Sequence, residues 1–279
     1  MKYLLLLKAL ILAGLFSISY GCSHSSQKSE ERDAETVELD SVCYTDSMSD
    51  PANNYGITVI TKIKYPKFFK DSTTTRKLKE LLCQSILESE YNDSLGMKFT
   101  AKQFSIEILN SYKMPPIIDD EDQIESKNGN LVKYEVTNQI RPSYIGGSII
   151  GFRKISGMKK GDKTSLNTNF YYTFNTRSLK RINITDIFND DDIEAVNDLL
   201  KESLLKQENA TDASQLIDLG YFNIDNLSVN NNFYLSDDGI VFNYEPNEIA
   251  CYAIGEVRIK LNFNDISQFI RPDSGIHND

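Results

Sequence analysis

Apolar and polar residues alternate from Tyr55 to Tyr65 (YGITVITKIKY), with Ile57, Val59 and Ile63 on one side; this predicts a strand, ended by Pro66. The spacing then changes. Leu78, Leu81, Leu82, Ser85 and Ile86 recur at helical intervals, predicting a helix over Thr73 to Glu88 with Ser or Thr as cap. Phe104 and Ile108 place a second helix over Thr100 to Tyr112, stopped by Pro115-Pro116. An Asn-Gly turn signal in Lys127 to Asn130 precedes two runs, Leu131 to Ile140 and Ile145 to Ile155, that read as paired strands. The stretch TNFYYTFNTRSLKRINITDIF predicts a strand, a turn, a short strand and a helix start. Ile193, Val196, Leu199, Leu200 and Leu204 make a helical stripe over Ile193 to Gln207. Phe233 to Leu235 and Ile240 to Tyr244 flank Ser-Asp-Asp-Gly as a hairpin. Val257, Ile259, Leu261 and Phe263 then alternate, and Asn264-Asp265 caps a last helix through Ile270. Strands and helices mix without a regular βαβ repeat. The expectation is an α+β fold of mixed, mainly antiparallel sheets with a few packed helices, in two intertwined subdomains.

The N-terminus follows a different pattern. Lys2 and Lys8 accompany an apolar run from Leu4 to Ile18, too short and weakly flanked for a membrane span; it reads as a secretory h-region. It ends in Ser19-Tyr20-Gly21-Cys22, which resembles a relaxed bacterial lipobox, with cleavage before Cys22 and lipid on that residue. An ordinary signal peptide with a chance Cys is the alternative. Polar SHSSQKSEERDAETVELD follows and reads as a solvated tether; its Lys-Ser-Glu-Glu resembles an acidic surface-export signal or is simply linker. The domain expectation is a signal peptide at 1–21, tether at 22–50, subdomains at 51–160 and 161–273, and a tail at 274–279. The body, about 230 residues, is long enough for one large domain or two small ones.

Charge and reactive residues narrow the function. A net charge of -10 argues against nucleic acid as a partner and is compatible with a cationic one. His24 and His277 are the two histidines, both outside the body, which removes Ser-His-Asp and Cys-His catalysis and His-ligated zinc. Cys43, Cys83 and Cys251 form no CxxC motif; Cys83 and Cys251 read as buried free thiols, with a disulfide between them as the alternative. The acidic runs Asp119 to Asp122 and Asp190 to Asp192 lack calcium-loop spacing and read as solvated or helix N-terminal charge. No cofactor and no metal is expected.

The densest pattern is FYLSDDGIVFNYEPNEIACYAIGEVRIKL, Phe233 to Leu261. Pro246 ends a strand there, leaving Glu245, Asn247 and Glu248 on an exit loop beside Tyr244 and Tyr252. These residues suit recognition of a basic protein or a glycan; the bland reading makes the two tyrosines core and the loop a connector. Tyr144, before Gly146-Gly147, marks either a strand bulge or a further contact point. From Ile184 onward the chain resembles the RsiV-type envelope domain family, on Phe233, Tyr234, Leu235, Asp238, Gly239, Val241, Phe242, Tyr244, Pro246, Glu248, Ile249, Ala250, Tyr252, Ala253 and Gly255. The Gly-Gly-Ala-His segment of many members is replaced here by IGGSIIGF, without His. That family includes a lysozyme-binding anti-sigma factor and a non-catalytic module of a peptidoglycan deacetylase. The resemblance implies a non-catalytic envelope protein, lipid-anchored to the membrane through Cys22, that binds a lysozyme-like basic protein or peptidoglycan. The alternatives are a carboxylate-dependent glycan hydrolase and a structural lipoprotein without soluble ligand.

Overall fold

The computed structural model describes residues 37–52, 55–112, 131–161, 163–164 and 167–276. Cys22, His24, the acidic run 119–122 and the Asn-Gly signal at 127–130 lie outside them. Two sheets and several helices form an α+β fold. The larger sheet contains β1 (Glu38–Asp50), β2 (Tyr55–Phe68), β3 (Val132–Gly146), β4 (Ile149–Lys160), β5 (Lys163–Thr164), β6 (Thr168–Asn175) and β7 (Lys180–Ile182). Its order is β1-β2-β3-β4-β6-β7, with β5 beside the end of β4. Every pairing is antiparallel except β2 with β3, which runs parallel from Tyr55↔Val132 to Ile63↔Ile140. The smaller sheet, ordered β10-β9-β8, contains β8 (Phe233–Ser236), β9 (Gly239–Tyr244) and β10 (Val257–Asn262).

Pleating gives the larger sheet two unlike faces. One presents Ile63, Ile140, Ile150, Phe152 and Phe174 to helices α1 (Ser72–Ile86) and α2 (Gly96–Ser111), which contribute Leu78, Leu82, Ile86, Met97 and Phe104. Asp71 caps α1 by accepting from the Thr74 N–H. Among the described residues the other face is covered only toward β6, by the smaller sheet. That sheet buries its own far side, Phe233, Leu235, Ile240, Phe242, Ile259 and Leu261, against Val196, Leu200 and Leu204 of helix Ile193–Glu208. Gly239 is required in β9 because a Cβ there would run into the Leu261 carbonyl of β10.

Several expectations change. Residues 38–50, assigned to the tether, form β1. Val42, Tyr44 and Met48 alternate there and are half-buried, but the intervening Ser, Thr and Asp residues mask the period. β2 continues through Pro66 to Phe68. Pairing with β3 stops at Ile63, so Pro66 lies where β2 has a single neighbour and a missing N–H is tolerated. The larger sheet takes strands from both sides of residue 160, so the two expected subdomains share it. Ser274 and Ile276, assigned to the tail, are buried. Cys83 is a buried free thiol, whereas the free Cys251 is exposed, because it sits in a surface turn after the core residue Ala250.

Candidate functional site

β7 pairs with β6 only at Thr173 to Asn175, so the outer edge of β6 at Asn169 and Tyr171 has no strand beside it. An open edge is a liability in any sheet. Here side chains close it. Asn232 accepts from the Tyr171 N–H (2.8 Å) and donates to the Asn169 carbonyl (2.9 Å), acting as a short artificial strand. Asn243 also donates to the Asn169 carbonyl (3.1 Å), and Glu245 Oε1 accepts from the Asn169 N–H (2.8 Å). Asn243 Nδ2 donates to Glu245 Oε1 as well (3.0 Å), and Asn230 Nδ2 donates to the Asn243 carbonyl (2.9 Å). From β4, Arg153 gives two hydrogen bonds to Asn169 Oδ1 (3.0 and 2.7 Å) and lies over the Tyr171 ring, which stacks on Tyr234 at 4.5 Å. The register of β9 and β10 sets Val257 opposite Tyr244 and Arg258 opposite Asn243, so Glu245 and Glu256 adjoin the last pair. Burial pushes the Glu245 carboxyl up; the Asn169 N–H works against this, and Glu256 adds to it. Glu245 Oε2 and Glu256 Oε1 are buried without hydrogen-bond donors.

This junction removes most of the predicted loop from the surface. Tyr244 is core, its hydroxyl donating to the Ser228 carbonyl (2.7 Å), because it shares the face of Ile240 and Phe242. Glu245 is the lock just described. Glu248 is exposed, but its carboxylate accepts from the Glu245 N–H (2.7 Å) and closes the turn, in which Asn247 takes a positive φ of 67°. Tyr144 follows the bulge at Pro142 and pairs with Gly151; Gly146 leaves room for its ring, and it packs half-buried on the core of the smaller sheet. Asp237, on the turn before β9, helps raise its hydroxyl pKa after burial. Tyr144 therefore belongs to the turn end of β9 and Glu245 to its exit, about 20 Å apart along the strand. The two do not share a site.

Tyr252 is the one predicted aromatic left on the surface, 60% exposed, and it has company. Residues 217–222, the end of the short helix Ala213–Asp218 and the turn after it, are bound to loop 249–254 by Phe222 N–H to Ile249 carbonyl (2.9 Å) and Cys251 N–H to Gly220 carbonyl (2.8 Å). Gly220, at a φ of +98°, brings Cys251 and Ile254 against its backbone. Ile217, Leu219, Phe222, Tyr252 and Ile254 are thereby exposed on two joined loops. Asp218, Asp225 and Glu248 are exposed beside them in sequence. The periodicity reading missed this patch because it lies in turns; the run of apolar residues at non-periodic positions was the available signal. Asn230-Asn231-Asn232 was missed as well, although three successive amides before a strand are an unusual supply of donors and acceptors.

Among the described residues no group of three or more His, Cys, Asp or Glu side chains is arranged to hold a metal ion, and no helix is long and apolar enough to cross a membrane. No curated protein matches the chain. A crystal structure of a DUF3298 family member from Bacteroides fragilis superposes with a TM-score of 0.69 at 20% identity, over 86% of this chain and 96% of that one. A DUF3298 family protein from Pseudomonas aeruginosa superposes with a TM-score of 0.58 at 10% identity, over 86% and 97%. Residues 185–264, which hold the smaller sheet, its helix and both loops of the patch, match the family described as "Protein of unknown function (DUF3298)", so this part of the chain is similar to that family and the chain shares the fold of those two structures.

Proposed function

We propose that the protein is a lipid-anchored, non-catalytic binding protein of the cell envelope, and that it recognises a basic protein of the lysozyme type. The observation that carries this reading is the patch of Ile217, Leu219, Phe222, Tyr252 and Ile254. Contiguous exposed apolar surface on a folded domain marks interaction sites. Aromatics at its centre with charge around them match the anatomy of protein interfaces. Asp218, Asp225 and Glu248 supply the negative surround, in a chain of net charge -10. The RsiV-type pattern from Phe233 to Gly255 supports the same partner class, and Cys22 after its h-region supports the anchor.

The test is binding kinetics of the purified chain to lysozyme at low and high salt. Tyr252→Ser with Ile254→Ser should speed dissociation, a central aromatic anchor being worth about 2 kcal/mol or more. Asp218→Asn with Asp225→Asn should slow association at low salt and leave dissociation nearly unchanged. Absence of binding at low salt would remove this partner.

A further inference from the structure

On the helix-free face of the larger sheet, the half beyond the smaller sheet is open to solvent, and its composition follows from register. The residues of that face are Leu39, Ser41, Cys43, Thr45, Ser47 and Ser49 on β1 and Gly56, Thr58, Ile60, Lys62 and Lys64 on β2. β3 adds Lys133, Glu135, Thr137, Gln139 and Arg141, and β4 adds Arg153, Ile155, Gly157 and Lys159. The acids of β1, Glu38, Asp40, Asp46 and Asp50, occupy the opposite parity. Glu135 is the single acid among these face positions, and it is paired with Lys159 at 4.0 Å. A protein of net charge -10 has thus collected six cations against one acid on one surface.

The cations are ordered. Arg141 and Arg153 are a cross-strand pair on β3 and β4, about 4.8 Å apart at the backbone, and Lys64 follows directly on the last β2–β3 pair, Ile63 with Ile140. Lys62 begins the next row, between Cys43 and Gln139. A groove of about 400 Å³ runs along Ser41, Cys43, Lys62, Lys64, Gln139 and Arg141, within the range of small-ligand clefts, about 300–1,000 Å³. Lys62, Lys64 and Arg141 are exposed.

We infer that this groove binds a carboxylate-bearing glycan strand, the chemistry of peptidoglycan with its lactyl and stem-peptide acids. Arg141 offers the planar fork that pairs with a carboxylate, while Lys62 and Lys64 act as point charges. Ser41, Thr45, Ser47, Thr58 and Thr137 place hydroxyls alongside for sugar hydroxyls. The β1–β3 positions of this face hold no aromatic side chain, so there is no platform for stacking nucleic-acid bases. Their large apolar groups are Ile60 and, at the start of β1, Leu39, too little to enter a lipid surface. This site is separate from the Tyr252 patch and does not depend on the partner proposed there.

The test uses the full chain and a soluble muropeptide with free carboxylates, beside the same fragment with its carboxylates amidated. Binding should weaken at least tenfold on amidation, and equally with Lys62→Gln, Lys64→Gln and Arg141→Gln combined. Lysozyme binding or an unchanged melting curve would report that this variant is folded. The wild-type protein gives a second readout that needs no substitution. Cys43 lies in the groove and is exposed, and Cys251 is exposed outside it. Saturating muropeptide should slow alkylation of Cys43 at least fivefold and leave Cys251 unchanged, followed by mass spectrometry of each peptide. Equal binding of the amidated fragment, equal alkylation of Cys43, or tighter binding to DNA or to anionic phosphatidylglycerol vesicles would overturn the inference.

Discussion

At Glu245 one carboxylate does two opposed things. Its Oε1 closes the edge of β6 through the Asn169 N–H, while Oε2 is buried beside Glu256 without a donor. Its carboxyl is raised by burial, so the folded state favours the protonated form more than the unfolded chain does. The sign follows from linkage: this contribution to stability is complete below the ordinary glutamate value of about 4.3 and is lost as pH rises through the raised value. Glu245→Gln keeps an acceptor at the edge and removes the charge. It should melt higher than the wild type at neutral pH, with the difference closing as pH falls to 4. A variant that melts lower at neutral pH would mean the charge itself holds the junction. Burial acts on Cys83 as well, pushing its thiol up to about 12. It is packed against Met97 in the α1–α2 core, which suits a small hydrophobe rather than a nucleophile.

Among the elements, those with a clean period were legible in the sequence and those defined by partnership were not. β9 was readable because Asp238-Gly239 turns the hairpin and Pro246 stops the strand. The helix at Ile193–Glu208 was readable from its stripe. β1 was not, since a strand with short polar side chains on its outward face and aspartates interspersed reads as linker until β2 is beside it. The same limit applied to the site. Lys62 and Lys64 come beside Gln139 and Arg141 only through the parallel register of β2 with β3, which no local pattern encodes. Whether Tyr244 was core or contact stayed open, because its depth depends on a helix some forty residues earlier, about which the strand alternation is silent. Asn232 carries the clearest element-scale prediction. Asn232→Ala leaves the Tyr171 N–H without its acceptor at a part-buried edge, and each such group costs about 1–3 kcal/mol. Urea unfolding should show a lower midpoint by an amount in that range with unchanged slope, because the surface buried on folding is the same. An unchanged midpoint would mean water replaces the amide at no cost.

At the scale of the molecule, opposite charges have been sorted to different places. Acids lie beside the apolar loops of the DUF3298 segment, and cations cover the open half of the larger sheet. A lipid-anchored protein so arranged can hold a basic partner and an anionic polymer on separate surfaces. Anchoring is testable by itself. Cys22→Ala should release the chain from the membrane fraction or leave the uncleaved precursor, while the folded body keeps its melting curve; fractionation with a labelled fatty acid reads both. Persistent acyl labelling of the variant would sink the assignment of Cys22.

The position of β1 also limits where such a protein could work. β1 starts at Glu38, inside the stretch expected as tether. With the lipid on Cys22, sixteen peptide steps join it to the first strand, and a fully extended chain covers about 3.3–3.6 Å per step, so the reach is at most about 55 Å. A body of this length has a radius of gyration of about 18 Å, which makes it about 45 Å across. The anchored domain can therefore rise by little more than its own width. It would patrol one thin layer against its membrane, and anything it binds must come within that layer or already be there.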